Sequence, residues 1–434
     1  MYIRFYFGSG DKMKAKSKIL IVFILICIGS ISIAFFNKYR CGKAEVTPKT
    51  PKIQAERKIN TDFAKSASDF SVEIFKRTAL SKENVSSSPL SAYIALGLTL
   101  NGADGNTKEA LESVLNEYKL NDDELNLNYK YLIGNLTQNM GNTKFNIANS
   151  LWYSKDFKIK KEFVQKNQLY FNAEAYGINF GNKDVAKKIN DWVKNKTNNL
   201  IDKLIDKVEP DAKMYLINTV CFKGKWKDPF KTKNTFKDDF KDESGNTKVK
   251  FMKNSVFINF IKTEKEEAVE LPYDDNRFDF IAVMPASNIN LNDYINSFDE
   301  NTIKNMLGNM TGGEVTVMLP KFTSEFQMSL NDVLKSMGLD NLFNKNEADF
   351  SKMYYRANDI DNNLYISDIQ HKTFVKIDES GTEAAAATEI KPKETLCRPT
   401  KDNIEIKFNR PFVYMIIDTK TSIPVFMGVM RNPS

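Results

Sequence analysis

Histidine is almost absent from this chain: its 434 residues include one, His371. A Ser-His or Cys-His hydrolase would have to take its base from that residue. His371 heads HKTFVKID, an alternating strand pattern in which it reads as a hydrogen-bonded structural group, although Cys397 and Asp378 keep a cysteine-peptidase alternative in view. Cysteine is also scarce. Cys27, Cys41, Cys221 and Cys397 show no metal-site or disulfide spacing, so the fold must stand on its core. No GxSxG elbow, Walker loop, dinucleotide fingerprint or HExxH occurs. The acidic pairs Asp274-Asp275 and Glu266-Glu267 read as solvated loop charge without an acid-base role. The expectation is a protein that is not an enzyme and uses neither metal nor cofactor.

A positive surplus is missing where a nucleic-acid surface would need it. The chain carries +7, but residues 1–58 hold twelve Lys and Arg against three Asp and Glu, a net +9. Subtracting +9 from +7 leaves −2 for the remaining 376 residues. No nucleic-acid partner is expected, because counterion release requires a clustered basic face.

From Ile19 to Phe36 run eighteen residues without a charge, preceded by Lys12, Lys14, Lys16 and Lys18. As a helix they span roughly 27 Å, close to the thickness of a hydrocarbon core. Two readings stand open: a signal peptide cut after Ser32-Ile33-Ala34, or an uncleaved membrane anchor. Either makes the protein secreted or held at the cell surface. The expected organisation is an export signal or anchor at 1–36, a linker at 37–58 containing TPKTPK, and one domain at 59–434.

Within that domain, apolar periodicity predicts helices over Asp62–Leu80, Pro89–Asn101 and Val185–Ile205, the last with Trp192, Leu200 and Leu204 on one stripe. Strands are predicted at Phe145–Tyr153, Met214–Phe222, Ala268–Pro272, Phe278–Met284, Glu314–Lys321, Thr373–Ile377 and Pro411–Asp418. Helices lead and strands dominate later without strict alternation. The fold class is therefore α+β with large mixed or antiparallel sheets.

The most informative segment is DESGTEAAAATEIK, residues 378–391. Laid out as a strand, Thr382, Ala384, Ala386, Thr388 and Ile390 share one face, while Glu383, Ala385, Ala387, Glu389 and Lys391 share the other. The first set can be buried without burying a charge. With Gly381 before it and Pro392 after it, the segment suits exposure in one state and insertion in another.

Together with FNRPFVYMIID, PVFMGVMRNP, NVSSSPLSAYIALGLTLNGADGNT (Asn84–Thr107), INTVCFKGKWKDPF (Ile217–Phe230), VELPY and LPKF (Leu319–Phe322), this segment resembles the serpins, the serine protease inhibitor superfamily. The resemblance covers nearly all of residues 59–434, in family order. It implies a suicide inhibitor: a target endopeptidase cuts an exposed reactive-centre loop, becomes acyl-linked, and is trapped when the hinge side of the loop inserts into the large sheet. The implied hinge comprises Glu379, Gly381, Thr382, Glu383, Ala384, Ala385, Ala386 and Ala387. Ser88, Ser91, Asn218 and His371 match the cluster beneath the point where the sheet opens, Trp226 matches the tryptophan where insertion begins, and Glu379 and Lys321 match a charge pair at the top of the sheet.

Counting forward from Glu379 puts the reactive bond at Thr395-Leu396, whereas counting back from FNRPF favours Leu396-Cys397; the hinge count is preferred because it sets insertion length. The implied partners are elastase-, chymotrypsin- or papain-like endopeptidases, the membrane if the anchor is retained, and no second copy, the fold being monomeric by default. Pro392 departs from the pattern by removing a backbone donor late in the new strand. A non-inhibitory serpin acting as a binding or surface-interaction protein is the alternative, disfavoured by the small hinge residues.

Overall fold

Asn60 opens helix α1 (Thr61–Ala79) by accepting hydrogen bonds from the N–H groups of Asp62 and Phe63 at 2.7 and 3.4 Å. Asp62 in the first turn and Lys76 and Arg77 in the last complement the helix dipole. Phe63, Ala67, Phe70 and Ile74 form its core-facing stripe. After β1 (Val85–Ser87), Pro89 begins α2 (Pro89–Leu100), which is buried on every side. α3 (Gly105–Leu115) and α4 (Asp122–Leu136) follow, with Tyr129 of α4 packed so closely on Gly97 that an added Cβ would lie 2.3 Å from its ring.

The chain continues through β2 (Lys144–Ser154), α5 (Lys161–Phe171), β3 (Glu174–Ile178), α6 (Val185–Lys196), β4 (Met214–Lys225), β5 (Phe236–Asp242), β6 (Gly245–Lys262), β7 (Glu266–Pro272) and β8 (Phe278–Pro285). Then come α7 (Leu291–Asn296), α8 (Thr302–Asn309), β9 (Thr311–Pro320), β10 (Phe322–Ser329), α9 (Asn331–Ser336), β11 (Asp368–Asp378), β12 (Gly381–Thr382), β13 (Ile404–Lys407), β14 (Phe412–Asp418) and β15 (Ile423–Met430).

This computed structural model describes residues 58–138, 142–243, 245–355, 363–382 and 404–433, all within a compact unit spanning Lys49–Ser434. The apolar segment Ile19–Phe36, the linker up to residue 57, and Glu383, Ala384, Ala385, Ala386, Ala387, Thr395, Leu396 and Cys397 lie outside the described residues. Among the described residues, no helix is long and apolar enough to cross a membrane.

Two sheets carry the architecture. One runs β1-β15-β14-β8-β7-β6-β9-β13, with β5 added to β6; the other runs β10-β11-β12-β4-β2-β3, with a direct β11–β4 pairing. Parallel and antiparallel pairs coexist in both, as the α+β reading requires. β4 lies at the heart of the six-stranded sheet and obeys a period of two. Its Met214, Leu216, Val220 and Phe222 join the main core with α1 and α2, whereas Tyr215, Ile217 and Cys221 face the cluster formed with α6.

Two expectations need correction. The helix predicted over Val185–Ile205 ends at Lys196, because Asn198 and Asn199 take left-handed backbone conformations with φ of 52° and 65°. Leu200 and Leu204 nevertheless stay against the same apolar cluster. Asn190 Oδ1 ties down the non-helical segment by accepting from Leu204 N at 2.8 Å and Ile205 N at 3.0 Å. The acidic pairs are also built in: Glu266 begins β7 and accepts from the Tyr294 hydroxyl, while Asp275 Oδ1 accepts from the N–H groups of Arg277 and Phe278 at 2.7 and 3.0 Å.

Candidate functional site

On the buried face of the six-stranded sheet, pairing sets Asn149 of β2 beside Asn218 of β4, and Asn218 beside His371 of β11. These three polar residues form a row across an otherwise apolar surface. Asn218 Nδ2 donates to Asn149 Oδ1 at 2.6 Å, and Asn218 Oδ1 has no hydrogen-bond partner among the described residues. Beneath the row lies the start of α2. Ser88 N donates to His371 Nε2 at 3.1 Å, and Ser91 Oγ donates to the Ser88 carbonyl at 2.8 Å while facing His371 Nδ1 at 3.5 Å.

Because Nε2 accepts from an N–H, the proton of neutral His371 belongs on Nδ1, directed at the Ser91 oxygen. Burial lowers the His371 pKa to about 4. The imidazole is therefore neutral at physiological pH, with both nitrogens committed to the start of α2. Its folded pKa lies below the ordinary 6.5, so the associated stability is present above that value and is lost as pH falls toward 4. The shift corresponds to about 3 kcal/mol. Thermal unfolding should show a steep fall in Tm between pH 6.5 and 4, and His371→Gln should flatten that part of the curve; an unchanged slope would contradict the assignment.

Above the row, β4 and β11 separate. They pair directly in parallel from Tyr215/Asp368 to Cys221/Phe374, but at the top Thr382 lies between Gly224 and Ile377 and Gly381 between Lys225 and Asp378. Thr382 is fully buried, and its hydroxyl shares a hydrogen bond with the Tyr273 hydroxyl. Gly381 has φ +149°, and a Cβ there would lie 2.0 Å from the Gly224 carbonyl oxygen. No other residue type fits that approach.

Trp226 braces this junction. Its Nε1 donates to the Asp378 carbonyl at 2.9 Å, its backbone N–H donates to the Ser380 carbonyl at 3.0 Å, and its ring stacks on Tyr273 at 4.8 Å. Glu379 is held on both sides, by Lys321 Nζ at 2.6 Å and by the Thr235 hydroxyl at 2.8 Å. Burial opposes the charge on Glu379, but these two donors outweigh it and keep the carboxyl below its ordinary pKa.

Tyr273, Asn149 and Thr235 were not singled out from the sequence. Tyr273 closes the VELPY motif, whose aromatic end was a usable signal. Nothing local marks Asn149 or Thr235, which gain their positions only through pairing with β4 and contact with Glu379.

A sequence model of the family described as Serpin (serine protease inhibitor) matches residues 65–433. The chain belongs to the serpin family. Human serpin B11 is 30% identical over 84% of this chain and 98% of its own length. The crystal structure of a thermophilic serpin, tengpin, in its native state superposes with a TM-score of 0.81 and 35% identity, covering 87% of this serpin and 96% of tengpin. Tengpin in its latent state gives a TM-score of 0.75 at 32% identity, covering 88% and 100%.

Proposed function

We propose that this serpin inhibits endopeptidases by a suicide mechanism in which the cleaved loop becomes a new strand between β4 and β11. The observation that carries the reading is the burial of Thr382 in the seam where those strands part. If the register of Thr382 continues, Ala384 comes opposite Phe222 and Val375, Ala386 opposite Val220 and Thr373, and Thr388 opposite Asn218 and His371. The antiparallel offsets to β4 and β11 agree with the existing parallel register between those strands. The same small residues that share one parity in the sequence would face the core, and the Thr388 hydroxyl would meet the unpartnered Asn218 oxygen.

β4 and β11 pair directly from Tyr215/Asp368 to Cys221/Phe374, which is the level the new strand would have to open. By hinge count the reactive bond is Thr395-Leu396, with Leu396-Cys397 as the alternative. Targets are elastase-, chymotrypsin- or papain-like; the domain spans residues 59–434, is monomeric, and is exported behind residues 1–36 or tethered through them.

Mixing the domain with elastase-, chymotrypsin- and papain-like endopeptidases and running denaturing gels tests the reading. A covalent serpin-endopeptidase band is expected with a serine target, and mass spectrometry of the released C-terminal peptide identifies the bond. Loop cleavage by every enzyme, without a band or lasting inhibition, would overturn the trap.

A further inference from the structure

Charge is unevenly shared along the domain. Residues 223–253 hold ten Lys against five Asp and Glu, a net +5, and since residues 59–434 sum to −2, the rest of the domain carries −7. Much of the surplus stands on the β5–β6 hairpin and the turn before it. Lys237 of β5 is directly opposite Lys250 of β6, and both point outward, because Phe240, Val249 and Phe251 of the other parity are buried in the core. Lys144 of β2 and Lys223 of β4 oppose each other in the same way. Like charges directly opposite one another weaken a sheet.

Neighbouring acids do not cancel this charge, since they are already engaged. Asp238 accepts from Lys407 Nζ at 2.6 Å, and Asp239 pairs with Lys248 at 3.1 Å. Lys231, Lys233, Lys237 and Lys250 are exposed and make no ion pair among the described residues.

The described chain stops at Thr382 and resumes at Ile404, and the hairpin with its preceding turn holds it on both sides of that interval. Before it, the Thr235 hydroxyl donates to the Glu379 carboxylate at 2.8 Å and Phe230 N donates to the Glu379 carbonyl at 2.9 Å. After it, Lys407 reaches Asp238, and Lys241 N donates to the Asn409 carbonyl at 2.8 Å. An endopeptidase that grips a residue between Thr382 and Ile404 is therefore tethered at both ends to ground held by this hairpin.

We propose that Lys231, Lys233, Lys237 and Lys250 form a steering surface that selects endopeptidases with an acidic face. The inference rests on the reading that the chain between Thr382 and Ile404 is offered to an endopeptidase, and it names the charge class of that partner. The outward side chains of the hairpin include no arginine and no aromatic group, the usual anchors of a tight contact. Exposed lysines act instead on the rate and orientation of encounter. A net +5 region in a domain that is otherwise negative gives the field a direction, turning an acidic partner toward the hairpin and away from the remaining surface.

The test uses the complete chain and one elastase-type serine endopeptidase shown, by release of the C-terminal peptide, to cut between Thr382 and Ile404. The enzyme is used unmodified and after succinylation, which replaces its surface ammonium groups by carboxylates; its activity on a small uncharged peptide fixes the active concentration of each form. The second-order rate at which intact serpin disappears is then measured. Succinylation should raise that rate several-fold at low salt, with the gain vanishing at high salt. Combining Lys231→Gln, Lys233→Gln, Lys237→Gln and Lys250→Gln should abolish the gain. Combining Lys183→Gln, Lys187→Gln, Lys188→Gln and Lys207→Gln, at exposed positions elsewhere, should leave it intact.

No gain with the parent, an equal gain in the first variant, or an equal loss in both variants would overturn the proposal. Dimers of the parent that the first variant cannot form, seen by sedimentation, would assign the hairpin to a second copy and overturn it as well. Disappearance of intact serpin counts clipped and covalently linked chains together. Absence of a covalent band would therefore refute the trap alone and leave the steering result standing.

Discussion

An endopeptidase mixed with Thr382→Arg should remain active while the serpin is consumed. Thr382 is fully buried between Gly224 and Ile377 with its hydroxyl on Tyr273, leaving neither room nor a counter-charge for a guanidinium. Burying an unpaired charge costs several kcal/mol. About 1.4 kcal/mol in a barrier is a factor of ten in rate, so insertion would fall behind hydrolysis of the acyl link. The number of serpin molecules consumed per endopeptidase inhibited should rise by about tenfold or more. Thr382→Ser retains the hydroxyl and should inhibit normally. Undiminished inhibition by Thr382→Arg, measured by titrating residual endopeptidase activity, would show that trapping does not pass through this seam.

Clipping the loop should raise the melting temperature by on the order of 20 °C. A strand entering between β4 and β11 breaks their direct pairing but makes a ladder on each side, a net of roughly ten hydrogen bonds at about 1 kcal/mol each, and 1 kcal/mol shifts the Tm of a large domain by about 2 °C or slightly more. The gain requires a native chain short of its most stable arrangement. In the proposed register Thr388 would add to it by bringing a hydroxyl opposite Asn218, whose Oδ1 lacks a partner among the described residues. Calorimetry of intact and clipped protein checks this, and equal melting temperatures would remove the energy source of the proposed trap.

Much of the fold was legible before any coordinates. The runs at Met214–Phe222 and Phe278–Met284 lie within strands because they are mostly apolar, interrupted by Asn218 and Thr219 in the first and Asp279 in the second, and Pro89 with its mostly apolar successors marks a helix because proline suits a first turn. β5 and β6 escaped notice because charged residues leave only Phe236 and Phe240 apolar in β5, and Lys248 and Lys250 alternate with buried Val249 and Phe251 in β6, so charge hides the strands. The end of α6 was missed because apolar spacing continued after the backbone had turned at Asn198 and Asn199. In the candidate site, motifs pointed to His371, Asn218 and Trp226. Tyr273 is marked in the sequence only as the aromatic end of VELPY, because its hydrogen-bond partner Thr382 lies far away along the chain.

By itself, the sequence determined the alternation of small and charged residues after Gly381, since side-chain direction in any extended chain follows from a period of two. It also set the expectation that the domain rests on apolar burial, because its four cysteines do not show the spacing of a disulfide framework. Only the tertiary structure decided where that alternation acts. Strand register is a relation between distant segments, and it alone brings Thr382 between Gly224 and Ile377 and lines up Lys144 with Lys223.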